Sequence, residues 1–395
     1  MQTAFQATKN FDQQDNLRVV DAFRGYAILM VMAAHSLPYV KDLIWPVKRL
    51  LLLGVYGVQL FFIASALTLL MSWARSRDNF GLRSGKFIIR RIFRIAPLYF
   101  LAILFYWLVE QNTAKDFSVN KLAASMLFYN SWSPYLIPTV PGWTPVPGGW
   151  SIGVEFCFYF IFPLCAIVVN NLKRSLLFIG LSLGALLAAT IMGANLYPEI
   201  SIDERANFLY FWPPNHLIIF ALGFFLYQCL KSSSIRQAIE GSRISANIAT
   251  GLLCIVIFGL SLYGQNKFFN LSNGLPPTHL LLSCALMVWS LVLICKPQGL
   301  AINRPIIALG KVSFSAYIVH FAVFKWTGEF LERIWPLSSG SLQSIAHACI
   351  LIAIGAVITW YISSVTYKYI EQPFITLGKQ VISNFSVTPA VQRPE

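Results

Sequence analysis

Arg24 and His35 stand eleven residues apart in the stretch LRVVDAFRGYAILMVMAAHSLPY, residues 17–39. At 100° per residue, eleven helical steps return to within about 20° of the same face, and at 1.5 Å per residue they span roughly 16 Å. One stripe of an apolar helix therefore carries a permanent cation at one end and a titratable imidazole at the other. Ionisable groups inside apolar spans are rare and costly, and they mark function by default. Each residue alone has a plainer explanation. Arg24 could snorkel to a headgroup layer, and His35 could bond a neighbouring helix. As a pair on one face they suit anion binding at one end and proton transfer at the other.

Three further stretches carry chemistry. In KFIIRRIFRIAPLYF, residues 86–100, Arg91 and Arg94 are spaced i, i+3 and share a face. Arg94 already lies inside the apolar run. Two guanidiniums at a helix start suit phosphate, through bidentate bonds and the helix dipole. In WSIGVEFCFYF, residues 150–160, Ser151, Glu155 and Tyr159 fall at i, i+4 and i+8 on an otherwise apolar helix. Glu155 needs a partner there, and Arg24, His35 or Arg94 could supply it. A carboxylate bonded to His35 would orient the imidazole and raise its basicity. In GKVSFSAYIVHFAVF, residues 310–324, Ser313, Tyr317 and His320 lie on roughly one side. Taken alone they read as helix–helix hydrogen bonding. His216, His279 and His347 stand by themselves and read as core histidines. No histidines have zinc-ligand spacing, and there is no HExxH, GxSxG or P-loop, so no metal is expected.

The elements that must position these residues are apolar helices. The chain has 395 residues, 56% of them hydrophobic and only 12% charged, with a mean hydropathy of +0.62. A soluble domain has about 25% charged residues. An all-α polytopic membrane protein is therefore expected, and the net charge of +14 reads as topology signal rather than nucleic-acid binding. A bilayer core needs roughly 20 apolar residues per helix. About ten spans fit, near 19–40, 51–73, 92–110, 151–170, 175–194, 213–230, 246–264, 278–295, 306–326 and 343–367. The first run is too long for a signal-peptide core and reads as an uncleaved anchor. Lys and Arg concentrate in the connections on the N-terminal side, as at Arg83–Arg91, Lys173–Arg174, Arg236–Arg243 and Lys368–Lys379. Both termini are thus expected in the cytoplasm. The expected organisation is an N-terminal segment 1–18, one membrane domain 19–374 and a tail 375–395. The connection 111–150 is long, rich in Pro and Gly, and holds Trp132, Trp143 and Trp150. It reads either as a functional loop or as an interfacial aromatic belt. The seven cysteines read as small apolar packers.

In this order the motifs resemble those of the membrane-bound acyltransferase family 3, which includes bacterial O-antigen and exopolysaccharide O-acetylases. Arg24 to His35 is similar to its Arg/Lys-x10-His motif. GVYGVQLFFIASAL, residues 54–67, resembles its "GVdlFFvlSGfl" segment, with Gln59 in place of an acidic residue and Ala66 in place of glycine. Arg91 and Arg94 match its RxxR motif. WSIGVEFCFYFIFP resembles "WSLsvEeqFYLlfP", with Phe156 and Cys157 replacing a polar pair. SFSAYIVHFAVF (313–324) and YKYIEQPF (367–374) resemble its closing motifs. Many relatives add a soluble SGNH-hydrolase-like domain, which this chain is expected to lack.

The resemblance implies a catalytic role for His35 and a donor-handling role for Arg91 and Arg94. The expected activity is transfer of an acyl group from cytoplasmic acyl-CoA to a hydroxyl of a cell-surface or lipid-linked carbohydrate. The group is expected to be acetyl, with succinyl or longer chains as alternatives. His35 is the expected general base, oriented by Glu155. Arg24, Arg91 and Arg94 are expected to bind the coenzyme's phosphates. Ser151, Tyr159, Tyr317 and His320 are the expected substrate contacts. The expected partners are a carbohydrate or glycolipid acceptor and the lipid of an inner cell membrane crossed several times. A transporter or flippase using the same charges is the competing expectation.

Overall fold

Apolar runs in lipid fold as helix because a helix satisfies its own amide groups without water. The computed structural model describes residues 13–109, 117–137, 144–262, 277–336 and 341–385. All regular elements among them are helical. The principal helices are α1 Gln13–His35, α2 Gly57–Arg75, α3 Phe80–Val109, α4 Gly149–Val168, α5 Leu172–Leu196, α6 Leu217–Lys231, α7 Ala246–Leu262, α8 Pro277–Cys295, α9 Arg304–Lys311, α10 Ser313–Ile334, α11 Ser341–Thr366 and α12 Gln372–Phe385. Shorter helices include Trp45–Leu52, which leads through Leu53–Tyr56 directly into α2, and Ile202–Phe211 between α5 and α6.

By length and composition, seven helical stretches among the described residues can cross a membrane, or nine if each of two sharply bent pairs is one span. The expected all-helical, multi-span architecture is present, with seven to nine such spans among the described residues against the ten expected from the sequence. α1 is not among those counted; it carries Arg18, Asp21 and Arg24 in its first half. Its burial comes instead from packing. α1 lies against α2, α9 and α10, and Phe23, Ile28, Val31 and Met32 are fully enclosed. α2 is likewise central, with 72% of the most apolar stretch of Trp45–Arg75 buried, against 22% for α5. α5 presents Leu177, Leu181, Leu187 and Ile191 outward, as a lipid-facing helix would.

The expected span 306–326 is not one helix. α9 and α10 meet at 89°. The cause is close packing of α9 across α1. A Cβ on Gly310 would lie 1.7 Å from the Asp21 carbonyl oxygen, and one on Gly25 would lie 2.1 Å from that of Ile306. Small residues let the two backbones touch, and the chain must then turn at Val312 to re-enter the bundle as α10. At its far end α11 passes through a five-residue π turn, Tyr367–Glu371, into α12. The first part of the expected tail, residues 375–385, is thus helical and packs on α3. Residues 13–18 of the expected N-terminal segment already belong to α1.

The described part of the connection 111–150 folds back onto the helices. Phe128 stacks on Phe156 with centroids 3.6 Å apart. Trp132 Nε1 donates to Cys157 Sγ at 3.0 Å, and Ser131 Oγ donates to the Trp150 carbonyl at 2.8 Å. Trp150 is buried. Trp143 lies outside the described residues.

Candidate functional site

α1 to α4 and α10 surround a cavity of about 80 Å³. Arg24, Arg91, Arg94, Ser65, Glu155, Tyr159, Ser151, Ser313 and Tyr317 supply its polar wall, and Val58, Phe61 and Phe62 much of its apolar wall. The helical arithmetic that put Arg91 and Arg94 on one face, and Ser151, Glu155 and Tyr159 on another, thus delivers both stripes to one space.

Each arginine is held differently. Arg24 Nη2 donates to Thr68 Oγ1 at 3.1 Å, and its Nη1 is 3.9 Å from Asp21 Oδ1. The Arg91 guanidinium lies over the rings of Phe87 and Tyr159, at 5.6 and 5.9 Å from their centroids. Such cation–π contacts hold a guanidinium without using up its donors, and Arg91 Nε is buried with no partner. Arg94 lines the cavity within electrostatic reach of Arg24 and of the buried carboxylate of Glu371. Three guanidiniums thus converge where Glu155 is the lining carboxylate. Buried like charges repel strongly in a low dielectric, so the cluster favours an anionic occupant.

Glu155 does not meet His35. Ser65 Oγ donates to the Glu155 carboxylate, the Tyr159 hydroxyl faces it, and Arg24 and Arg91 are its cationic neighbours. The expected carboxylate–imidazole bond is therefore corrected. Glu155 lines the cavity together with Arg24, Arg91 and Arg94, and His35 does not.

The partner of His35 is His320. His35 Nδ1 and His320 Nε2 are 2.9 Å apart, and His320 Nδ1 is 3.1 Å from the Ala316 carbonyl oxygen. A carbonyl can only accept, so His320 Nδ1 carries the proton and its Nε2 is an acceptor. His35 Nδ1 must then be the donor, which leaves His35 Nε2 as a free lone pair. Phe321 packs on the His35 ring with centroids 4.4 Å apart. His320 is fully buried and His35 partly exposed.

His35 does not line the arginine cavity. Tyr317 stands between them. Its hydroxyl donates to the Gly148 carbonyl at 3.1 Å and accepts from Ser151 Oγ at 2.8 Å. Its ring is 5.7 Å from that of His320. Gly148 holds a left-handed φ of 73°, where a Cβ would lie 2.9 Å from Phe321 Cε2 and 3.0 Å from the Tyr317 hydroxyl oxygen.

Sequence reasoning missed Ser65, Thr68, Ser315 and Glu371. Ser65 and Thr68 are spaced i, i+3 on α2, so their shared face was readable. Glu371, whose carboxylate accepts from Ser315 Oγ, is the acidic residue of YKYIEQPF. An acidic residue in that apolar setting was the available signal.

The protein family described as an acyltransferase domain, acyltransferase 3, matches residues 17–364. Acyltransferase MdmB of Streptomyces mycarofaciens is 24% identical over 331 residues, covering 78% of this chain and 79% of its own length. YrhL of Bacillus subtilis (strain 168), provisionally named a peptidoglycan O-acetyltransferase, is 24% identical over 378 residues, or 91% of this chain. Peptidoglycan O-acetyltransferase OatA of Listeria monocytogenes is 22% identical over 377 residues, or 90% of this chain. The chain spans 55% of the length of each of these last two. No solved structure matches it. The family match runs from the start of α1 almost to the end of α11 and takes in the cavity and both paired histidines, and the chain belongs to this family of multi-pass membrane acyltransferases.

Proposed function

We propose that the protein transfers an acyl group, acetyl in the first instance, from acyl-CoA to a hydroxyl of a carbohydrate or glycolipid, with His35 as general base. The observation that carries this is the bond chain from His35 to His320 to the Ala316 carbonyl. It leaves His35 Nε2 unprotonated and its ring fixed, as a base requires.

The arginine cavity supports the donor end. Phosphates of the coenzyme would meet Arg91, Arg94 and Arg24, entering from the cytoplasmic side of an inner membrane. The thioester would extend toward Tyr317, whose side chain must swing off Gly148 and Ser151 to join the cavity to the histidines. His35 Nε2 then takes the proton of the acceptor hydroxyl as that oxygen attacks the thioester carbonyl. The tetrahedral intermediate collapses with cleavage of the C–S bond, and the departing thiolate takes the proton from the imidazolium. His320 accepts the His35 Nδ1 proton in a hydrogen bond throughout and stabilises the charged ring. Ser151 and Tyr317 hydroxyls, once parted, can donate to the developing oxyanion. The acceptor class follows the relatives, two of which are named for peptidoglycan.

The test is mass spectrometry of cell-surface glycans from cells lacking the gene, complemented with wild-type protein or His35→Ala. Wild-type protein should restore an acyl mass step on a sugar, and His35→Ala should not while still reaching the membrane. Restoration by His35→Ala, or movement of an unmodified solute with no need for acyl-CoA, would overturn the proposal.

A further inference from the structure

His216 and His279, which read as isolated core residues in the sequence, are neighbours. Their ring centroids are 5.6 Å apart, and both side chains are fully buried. They stand at the starts of α6 and α8. His216 Nε2 is 2.7 Å from the Tyr210 carbonyl oxygen. His279 Nδ1 is 3.1 Å from Gln59 Nε2. The other nitrogen of each ring, His216 Nδ1 and His279 Nε2, is buried without a partner.

The bonds that are made fix what the open nitrogens can do. A carbonyl accepts, so His216 Nε2 carries a proton. A charged ring would be costly among the aromatic side chains of Trp150, Phe62 and Tyr210, so His216 Nδ1 offers a lone pair. An amide nitrogen only donates, so His279 Nδ1 accepts and its Nε2 carries the proton. The Tyr210 hydroxyl and Gln59 Oε1, close by, are likewise buried without a partner. One buried acceptor and one buried donor therefore stand on adjacent rings, and each unmet group is costly. A single hydroxyl meets both needs: it accepts from His279 Nε2–H and donates to His216 Nδ1.

We infer that His216 and His279 form a second binding site, distinct from the arginine cavity, that holds one hydroxyl group between the two rings. Phe62 lines the cavity on one side and lies edge-on to His216, centroids 5.5 Å apart. The hydroxyl can come from water or from a sugar. The sugar source rests on the acyltransferase reading; the site itself does not.

The experiment is imidazole ¹⁵N–¹H NMR on the full chain, labelled at its five histidines and held in lipid nanodiscs. His216→Phe and His279→Phe assign the two rings. If either fails to accumulate, the remaining histidines are substituted and the pair is assigned by difference. The expected result is a proton on Nε2 of both rings and a cross-peak from His279 Hε2 to a hydroxyl proton. Methyl glucoside and methyl N-acetylglucosaminide are then added. Saturable shifts of both rings identify a sugar hydroxyl, and a persistent water cross-peak without shifts identifies water. A proton on His216 Nδ1, a charged ring, a direct scalar coupling between the two open nitrogens, or the absence of any hydroxyl cross-peak and shift would each overturn the inference.

Discussion

His35 Nδ1 lies 2.9 Å from His320 Nε2, joining α1 to α10 through residues 285 positions apart in the chain. An imidazole here occupies the place that a carboxylate holds in a hydrolase triad. Under the proposed mechanism it would orient His35 as base without adding a negative charge to a buried site, with the Ala316 carbonyl anchoring its far side.

Replacing His35 by Ala should therefore abolish transfer by about 10²–10⁴-fold, the usual contribution of a positioned base. His320→Phe keeps the bulk but removes the acceptor, and should lower kcat by about 10²-fold with little change in donor KM. Purified variants assayed with labelled acyl-CoA measure both. Equal loss in kcat and in membrane accumulation would instead assign His320 to folding.

Arg91→Gln and Arg94→Gln should each raise the donor KM by about 10–10²-fold, the value of one hydrogen bond to a charged group. Lysine should rescue poorly, because it lacks the planar fork that pairs with phosphate oxygens. Titration of the purified protein with acyl-CoA by calorimetry separates this loss of binding from a loss of turnover.

Gly148→Ala forces a side chain into a left-handed backbone and against Phe321 and Tyr317. The expected cost is about 1–3 kcal/mol. Because Phe321 packs on His35, activity should fall along with the melting temperature. A thermal melt in detergent and a transfer assay on the same sample check the link.

Gly310→Ala should be far worse than its size implies. The new methyl meets backbone rather than a movable side chain, so α9 must lift from α1 at a cost of about 3 kcal/mol. Gly81→Ala is the control, since its Cβ would have no neighbour closer than 4.0 Å. Western blots of membrane fractions should show loss of the first variant and normal levels of the second.

The sequence disclosed faces better than neighbours. Eleven residues of helix suffice to align Arg24 with His35, and three to align Arg91 with Arg94, since both follow from one helical repeat. Which carboxylate meets which base depends on how deep each helix sits, and Glu155 fell to the arginines because α4 brings it to their cavity. The bend at Val312 was invisible for a similar reason. The run from 306 to 326 is mostly apolar despite Lys311 and Lys325, and the contact of Gly310 with α1 that accompanies the bend is not written in it. His216 and His279 looked solitary because 63 residues separate them in the chain, while helix starts at one end of a bundle converge in space.

The π turn at Tyr367–Glu371 makes chain length itself a structural variable. A π turn contains one residue more than the α turn it replaces, so α12 sits about 100° out of phase with α11. Deleting one residue there would restore the phase and rotate everything downstream as a crank turns its shaft. The surface that α12 lays on α3 would swing away, although no side chain of the cavity had been altered.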